Sequence, residues 1–401
     1  MKVLYLSSTN SGMHRHSIYF DLLSEFQKKG HDVTIAYARE KRLGQETEYY
    51  EQFGMHYLGI KTGNLTKNSN LIDKGIATLR IDSQFKNALK KHLGHESFDL
   101  ILYSTPPITL LKTVNYLKTK NPNALLYLML KDIFPQNAVD LGFMKEMGLI
   151  HRFFSHKEKA LYKMFDVIGT MSPANLNYME KHHPSTVGRL EILPNALDIN
   201  ENNTAHDSIS IRETYSIRDD QTILLYGGNL GAPQAIPFVI ECIDRIKNDD
   251  RIVFLIAGSG AKEELITSFI QENNISNTLF LGQLESRVYN SLVSQCDVGL
   301  IFLDHRFTIP NYPQRLLTYL EASKPVVCAT DTATDIGTIA MTNQYGFGIE
   351  STDVEAWYQA IDTLVSNQTL RIEMGAKGHE YLMNHYTVAH AYEIIIKHMG
   401  A

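Results

Sequence analysis

Cysteine is scarce in this chain of 401 residues. The three present, Cys242, Cys296 and Cys328, are widely spaced and form no CxxC pair, which excludes a disulfide framework and a zinc knuckle and fits a reducing cytoplasm. Long hydrophobic runs are missing as well: no stretch approaches the roughly 18 apolar residues a membrane span needs. The opening MKVLYLSSTNSG has too brief an apolar run for a signal peptide. No GxGxxG follows the first strand-like run, where SSTNSGMH offers Gly12 alone, which argues against a dinucleotide oxidoreductase. No DxD follows a strand and the histidines lack ligand spacing, so neither a metal nor another cofactor is expected. Lys/Arg runs interleaved with aromatics are also absent, which disfavours nucleic acid as a partner.

What is there has the composition of a globular protein and the length of two domains. The formal charge of −6 is unevenly divided. Residues 1–200 carry 25 Lys and Arg against 19 Asp and Glu, a net of +6, whereas residues 201–401 carry 13 against 25, a net of −12. That asymmetry predicts an anionic partner for the first half, and a phospholipid surface or a phosphate-bearing lipid fits it better than nucleic acid.

Strand-like apolar runs alternate with helix-period segments, the pattern of parallel α/β layers. The first half places them at 3–6, 33–37, 100–103, 125–130 and 167–169, with SIYFDLLSEFQKKG as an amphipathic helix stopped by Gly30. The second half restarts the pattern at 223–228, 253–260, 279–282, 298–303 and 325–330, and everything beyond about residue 352 reads as helical. Two Rossmann-like domains are predicted, at 1–199 and 211–375, joined by the polar segment NENNTAHDSIS at 200–210. The helices of 376–401 can pack on either domain.

Ligands of open parallel sheets bind beyond the carboxyl ends of the strands. There, TIPNYPQRLLTYLEASKPVV (308–327) reads as a loop, a short helix and a buried strand. Free N–H groups at the helix start, with Arg315 one turn inside, make an anion site; the alternative is that Arg315 and Tyr319 merely decorate a half-exposed helix. GGNLG after Tyr226 and GSG at 258–260 are ordinary strand-to-helix glycines taken singly, and more informative in company with that segment.

Together, YGGNLGAPQAI, LIAGSGAKEEL, LFLGQLESRVYNSLVSQCDVGL and YPQRLLTYLEASKPVV resemble, in order and spacing, the nucleotide-sugar half of retaining glycosyltransferases of family 4. LMLKDIFPQ, MSPANLNYM and EILPNALDI extend the resemblance over most of the chain. It implies the GT-B fold, two Rossmann-like domains facing a central cleft, the first for the acceptor and the second for a UDP-sugar. GNLGxxQ with KDIFPQ looks most like the bacterial capsule and O-antigen branch, in particular enzymes that transfer N-acetyl-L-fucosamine. The donor-binding residues implied are Gly12, Gly228, Asn229, Gln234, Gly258, Arg287, Asn311, Arg315 and Thr318. Arg315 stands where relatives place a cation for the diphosphate, with Arg287 or Arg306 as assistants. The family's Glu-x7-Glu carboxylates fall on Pro310 and Thr318, and Asn229 and Gln234 replace an Arg and a Lys, so the site is expected to rely on Arg315, amide donors and the helix start. Lys131 and Asp132, where many relatives have a His-Asp pair, are the implied catalytic residues beside Arg315, with an ion-paired strand end as the structural alternative.

Residues 143–165 carry five Lys or Arg against two Glu, with apolar residues at helical intervals. This predicts a basic amphipathic helix, either at a membrane surface or packed on the sheet. In the first case Lys145, Arg152, Phe153, Phe154 and Lys157 meet the membrane or acceptor, a polyprenyl-diphosphate-linked sugar, and the protein sits on the inner face of the cytoplasmic membrane. Two other readings stay open: a sugar-nucleotide-binding scaffold that has lost catalysis, and a UDP-sugar 2-epimerase of similar fold. The sequence specifies no oligomeric state.

Overall fold

The computed structural model describes residues 1–8, 17–64, 71–199 and 210–400, and the chain divides into two compact units. Residues 1–198 and 387–401 form the first, and residues 199–386 the second. Most of the segment at 200–210 lies outside the described residues.

The strands of the first unit are β1 (Lys2–Ser7), β2 (Asp32–Glu40), β3 (Glu48–Gln52), β4 (Met55–Thr62), β5 (Leu100–Ser104), β6 (Leu125–Met129), β7 (Val167–Thr170) and β8 (Leu190–Ile192). Among the described residues they make one sheet in the order β3-β4-β2-β1-β5-β6-β7-β8, parallel except for β3 against β4. Strand β2 is buried from Val33 through Glu40, and such uninterrupted burial is what helices on both faces of a parallel sheet produce. Helix Ile18–Lys28 begins where the Ser17 side chain accepts the Phe20 N–H at 3.3 Å, and Gly30, at φ +84°, follows its end.

The second unit holds β9 (Thr222–Asn229), β10 (Ile252–Ser259), β11 (Thr278–Gly282), β12 (Val298–Phe302), β13 (Val326–Thr330) and β14 (Gly346–Glu350). These form a parallel sheet in the order β11-β10-β9-β12-β13-β14. Helix Ile236–Ile246 presses Val239, Ile243 and Ile246 into the core, where helix Val354–Ser366 adds Trp357, Ile361 and Leu364.

A boundary at 375 would cut helix Gln368–His385 in two. That helix stays whole because Gly375 and Gly378 let it approach its own unit closely: a Cβ would meet the Ser323 carbonyl oxygen at 2.0 Å from Gly375 and the Leu320 side chain at 2.8 Å from Gly378. The crossing comes after Tyr386 instead. Helix Val388–Ile396 then lays Val388, Ala391, Tyr392 and Ile395 into the core of the first unit. The Tyr392 ring lies 4.8 Å from that of Phe26 and its hydroxyl 2.8 Å from His31 Nε2.

Candidate functional site

Strand order in the second unit reverses beside β9, which lies between β10 and β12, and loops beyond such a reversal form a natural ligand crevice. β9 and β10 pair to their last residues, with Gly228 opposite Gly258 and Asn229 opposite Ser259. The two glycine motifs are therefore one piece of structure. Gly258, at φ +149°, could carry no Cβ, because it would fall 1.8 Å from the Gly228 carbonyl oxygen. Gly228, at φ +140°, leaves room for Arg315: a Cβ there would lie 2.6 Å from Nη2.

The Arg315 guanidinium sits 4.6 Å from the centre of the Tyr226 ring, held by its quadrupole. Its side chain is half-buried, and among the described residues Nη1 is buried without a hydrogen-bond partner. An unpaired buried donor costs about 1–3 kcal/mol, and an anion at Nη1 would remove that cost. The sequence reading gave neither Tyr226 nor Tyr319 a role in the site. Tyr319, which only the alternative reading put on a half-exposed helix, is buried, and its hydroxyl donates to the Leu225 carbonyl at 2.9 Å. The available signal was its place four residues after Arg315, on the same helix face.

Several expectations need correction. Helix Arg315–Glu321 has seven residues and begins at Arg315, so the cation is at the start and not one turn inside. The donors expected there are used locally: the Leu316 and Leu317 N–H groups bond the Pro313 and Gln314 carbonyls at 3.2 and 3.1 Å, and the Asn311 N–H bonds Thr334 Oγ1 at 3.0 Å. The Asn311 amide turns back to the Ile309 carbonyl at 3.3 Å. Asn229 donates to Gln234 Oε1 at 3.0 Å, and the Gly231 N–H shares that oxygen at 3.2 Å, so this pair braces its own loop. The Thr318 hydroxyl donates to the Arg315 carbonyl at 2.9 Å. Arg306 is held by both oxygens of Asp304 at 2.7 and 2.9 Å, which withdraws it as an assistant. Arg287 stands exposed near the start of helix Ser286–Gln295. Gly12 lies outside the described residues.

In the first unit, Lys131 and Asp132 follow β6. The Lys131 N–H bonds Thr105 Oγ1 at 3.2 Å, and burial of its side chain lowers the ammonium to about 7. Asp132 is exposed, and among the described residues no ion pair joins the two, which disfavours the ion-paired strand end.

Residues 207–381 match the family described as glycosyl transferases group 1. The chain is a transferase. It is 23% identical over 311 residues to the probable glycosyltransferase WbjE of Pseudomonas aeruginosa, covering 75% of this chain and 74% of that one. It is 24% identical over 136 residues to the putative colanic acid biosynthesis glycosyl transferase WcaI of Escherichia coli, 34% of this chain and 33% of that one. The Anabaena protein HepE, solved in complex with UDP, superposes with a TM-score of 0.68 at 13% identity, over 100% of this chain and 99% of that one. The fold is GT-B.

The basic segment of the transferase differs from its predicted form. Only Leu149–Tyr162 is helical, and residues 143–148 form turns and loop, with Met147 at φ +58°. Glu158, Leu161 and Tyr162 are its buried residues; Lys145, Arg152 and Phe153 are exposed. Phe154 packs against Phe134 at 5.0 Å and Phe153 at 5.2 Å, and Lys157 Nζ lies 5.5 Å from the Phe153 ring. Leu149 and Ile150 are 85% and 65% exposed, so the first turn does not pack on the sheet.

Burial pushes the Glu158 carboxyl up to about 7, although the Tyr162 hydroxyl donates to it at 2.9 Å. Burial lowers neighbouring His183 to about 4, so their 3.8 Å approach at neutral pH involves an uncharged imidazole. The native protein thus retains a proton on Glu158 that the unfolded chain releases near 4.5, and stability falls as pH rises between these values. Glu158→Gln is expected to exceed the parent by roughly 2–3 kcal/mol at pH 8 and to match it at pH 4. Urea unfolding at both pH values checks this; a constant difference would show that the carboxyl's ionisation is not the cause.

Proposed function

We propose that the transferase moves a sugar, N-acetyl-L-fucosamine being the candidate drawn from the resemblance, from a UDP-sugar to a polyprenyl-diphosphate-linked acceptor in capsular or O-antigen polysaccharide synthesis. It works as a peripheral protein on the inner face of the cytoplasmic membrane and needs no metal. The observation that carries this reading is Arg315, a cation braced on Tyr226 with a buried, unpartnered N–H, beside paired strand ends that admit only glycine. HepE, a protein of this fold, binds UDP, and WcaI is named for synthesis of a bacterial polysaccharide; both support the choice of donor and pathway class.

In the reaction, the bond from the sugar's anomeric carbon to the diphosphate oxygen breaks and leaves its electron pair on that oxygen. The acceptor hydroxyl bonds the carbon from the same face, and its proton passes to the leaving phosphate. Arg315 stabilises the charge that develops on the departing group. Lys131, close to its titration point at neutral pH, and Asp132 serve the sugar and the acceptor hydroxyl. Thr318 keeps an oxygen lone pair for a ribose hydroxyl.

Mass spectrometry of reactions containing the protein, a panel of UDP-sugars, a polyprenyl-diphosphate monosaccharide and a chelator tests the proposal. A lipid one sugar heavier, formed from one donor, is the expected result. Tight UDP binding with no product from any pair would favour a scaffold, and interconversion of the free UDP-sugar would favour an epimerase.

A further inference from the structure

The sugar-transfer chemistry leaves one feature of the first unit without a role. Helix Leu149–Tyr162, helix Pro173–His182 and the chain around Ile133–Gln136 and Met147 line a cavity of about 390 Å³. That size suits a small polar head. Its basic lining comes from His151, Arg152, His156, Lys159 and His182. The carboxylate in the lining, Glu158, is buried and receives the Tyr162 hydroxyl, so the groups that meet water are mainly donors. Two of them are held in place. The His182 ring stacks on Tyr178 at 4.2 Å, and His151 Nδ1 accepts the Met147 N–H at 3.2 Å, which leaves the imidazole proton on Nε2.

An apolar rim borders this basic lining. Met147 belongs to both, and Phe143, Leu149, Ile150 and Phe153 lie exposed along the same stretch of chain. A soluble phosphate compound would engage the donors and leave that rim in water. A lipid with one phosphodiester charge would use the rim and leave most donors unmatched. Charge and apolar surface together fit an amphiphile whose head carries two or more negative charges.

We propose that this cavity seats the phosphomonoester or diphosphate head of a membrane lipid, while Leu149, Ile150 and Phe153 enter the acyl layer around it. The inference rests on the membrane part of the proposed function and names the chemistry of that contact; it does not depend on which sugar is moved.

The test is flotation of the full chain with phosphatidylcholine vesicles carrying either a polyprenyl diphosphate or phosphatidylglycerol at equal surface charge. Binding to the diphosphate vesicles is expected to be about tenfold tighter. The double variant Lys159→Gln with His182→Gln, both exposed positions, removes that preference and keeps the weaker phosphatidylglycerol binding. Leu149→Ser with Ile150→Ser weakens binding to both vesicles. Circular dichroism of each variant establishes that it is folded. Equal binding of the parent to both vesicles would reduce the surface to a generic basic patch and overturn the proposal. Binding of inorganic pyrophosphate in solution without vesicle binding would overturn it in favour of a soluble anion. UDP binding measured on the same preparations reports the donor site separately, so a failed lipid test and a failed donor reading give different results.

Discussion

Arg315→Ala is expected to lower kcat/KM for the UDP-sugar by roughly 10²–10³-fold, the range seen when a charge-stabilising donor is removed from a preorganised site. The thermal stability of the ligand-free protein should not fall with it. In the ligand-free protein Nη1 is buried and unpartnered among the described residues, so the side chain contributes a desolvation cost alongside its contact with Tyr226. Arg315→Met, which keeps volume against the ring and removes the charge, should therefore be at least as stable as the parent while losing the thermal shift that UDP produces. Arg315→Lys should recover only part of the activity, since an ammonium lacks the planar fork and stacks less well. Steady-state kinetics and melting curves with and without UDP decide the matter. Loss of stability in the ligand-free Met variant, together with an intact UDP shift, would assign Arg315 to the core.

The second large effect is structural. Gly258→Ala is expected to destabilise the second unit by about 3 kcal/mol or more, because the added carbon would sit 1.8 Å from the Gly228 carbonyl oxygen and the obstruction is paired backbone that no rotamer change relieves. Gly282→Ala provides the control. Gly282 also has a positive φ, +66°, but a Cβ there has nothing within 4 Å, so only the backbone term applies, about 1 kcal/mol. Urea unfolding of the two variants separates close approach from backbone strain; equal losses would mean that the strand-end contact yields easily.

The sequence was most legible where burial is continuous. Of the strands with neighbours on both sides, β1, β2, β5, β6, β7, β9, β10, β12 and β13 stand out as apolar runs because helices cover both faces, and the edge strand β11 was legible with them. The strands that escaped, β3, β4, β8 and β14, lie at or next to an edge. β3, EYYEQ, is mostly exposed; β8 has three residues; β14, GFGIE, carries two glycines that disfavour an extended strand; and β4, MHYLGIKT, mixes polar and apolar residues beside β3. In the site, Arg315 was legible as a cation near a helix start. The pairing of Gly228 with Gly258 depends on register between segments thirty residues apart, and the local spending of the helix-start donors depends on a half-turn of backbone geometry. Neither leaves a mark in composition. The cavity was hidden for the same reason: His151 and His182 line it together although they stand on different helices far apart in the chain.

Helix Val388–Ile396 has a consequence for how the protein is made. The first 198 residues leave the ribosome early, yet their core lacks Tyr392 and Ile395 until the entire second unit has emerged. The second unit is contiguous and can close as soon as it clears the tunnel, in keeping with domain-wise folding during synthesis. The first must wait, its sheet formed but Phe26 and His31 uncovered, so the part translated first is the part completed last.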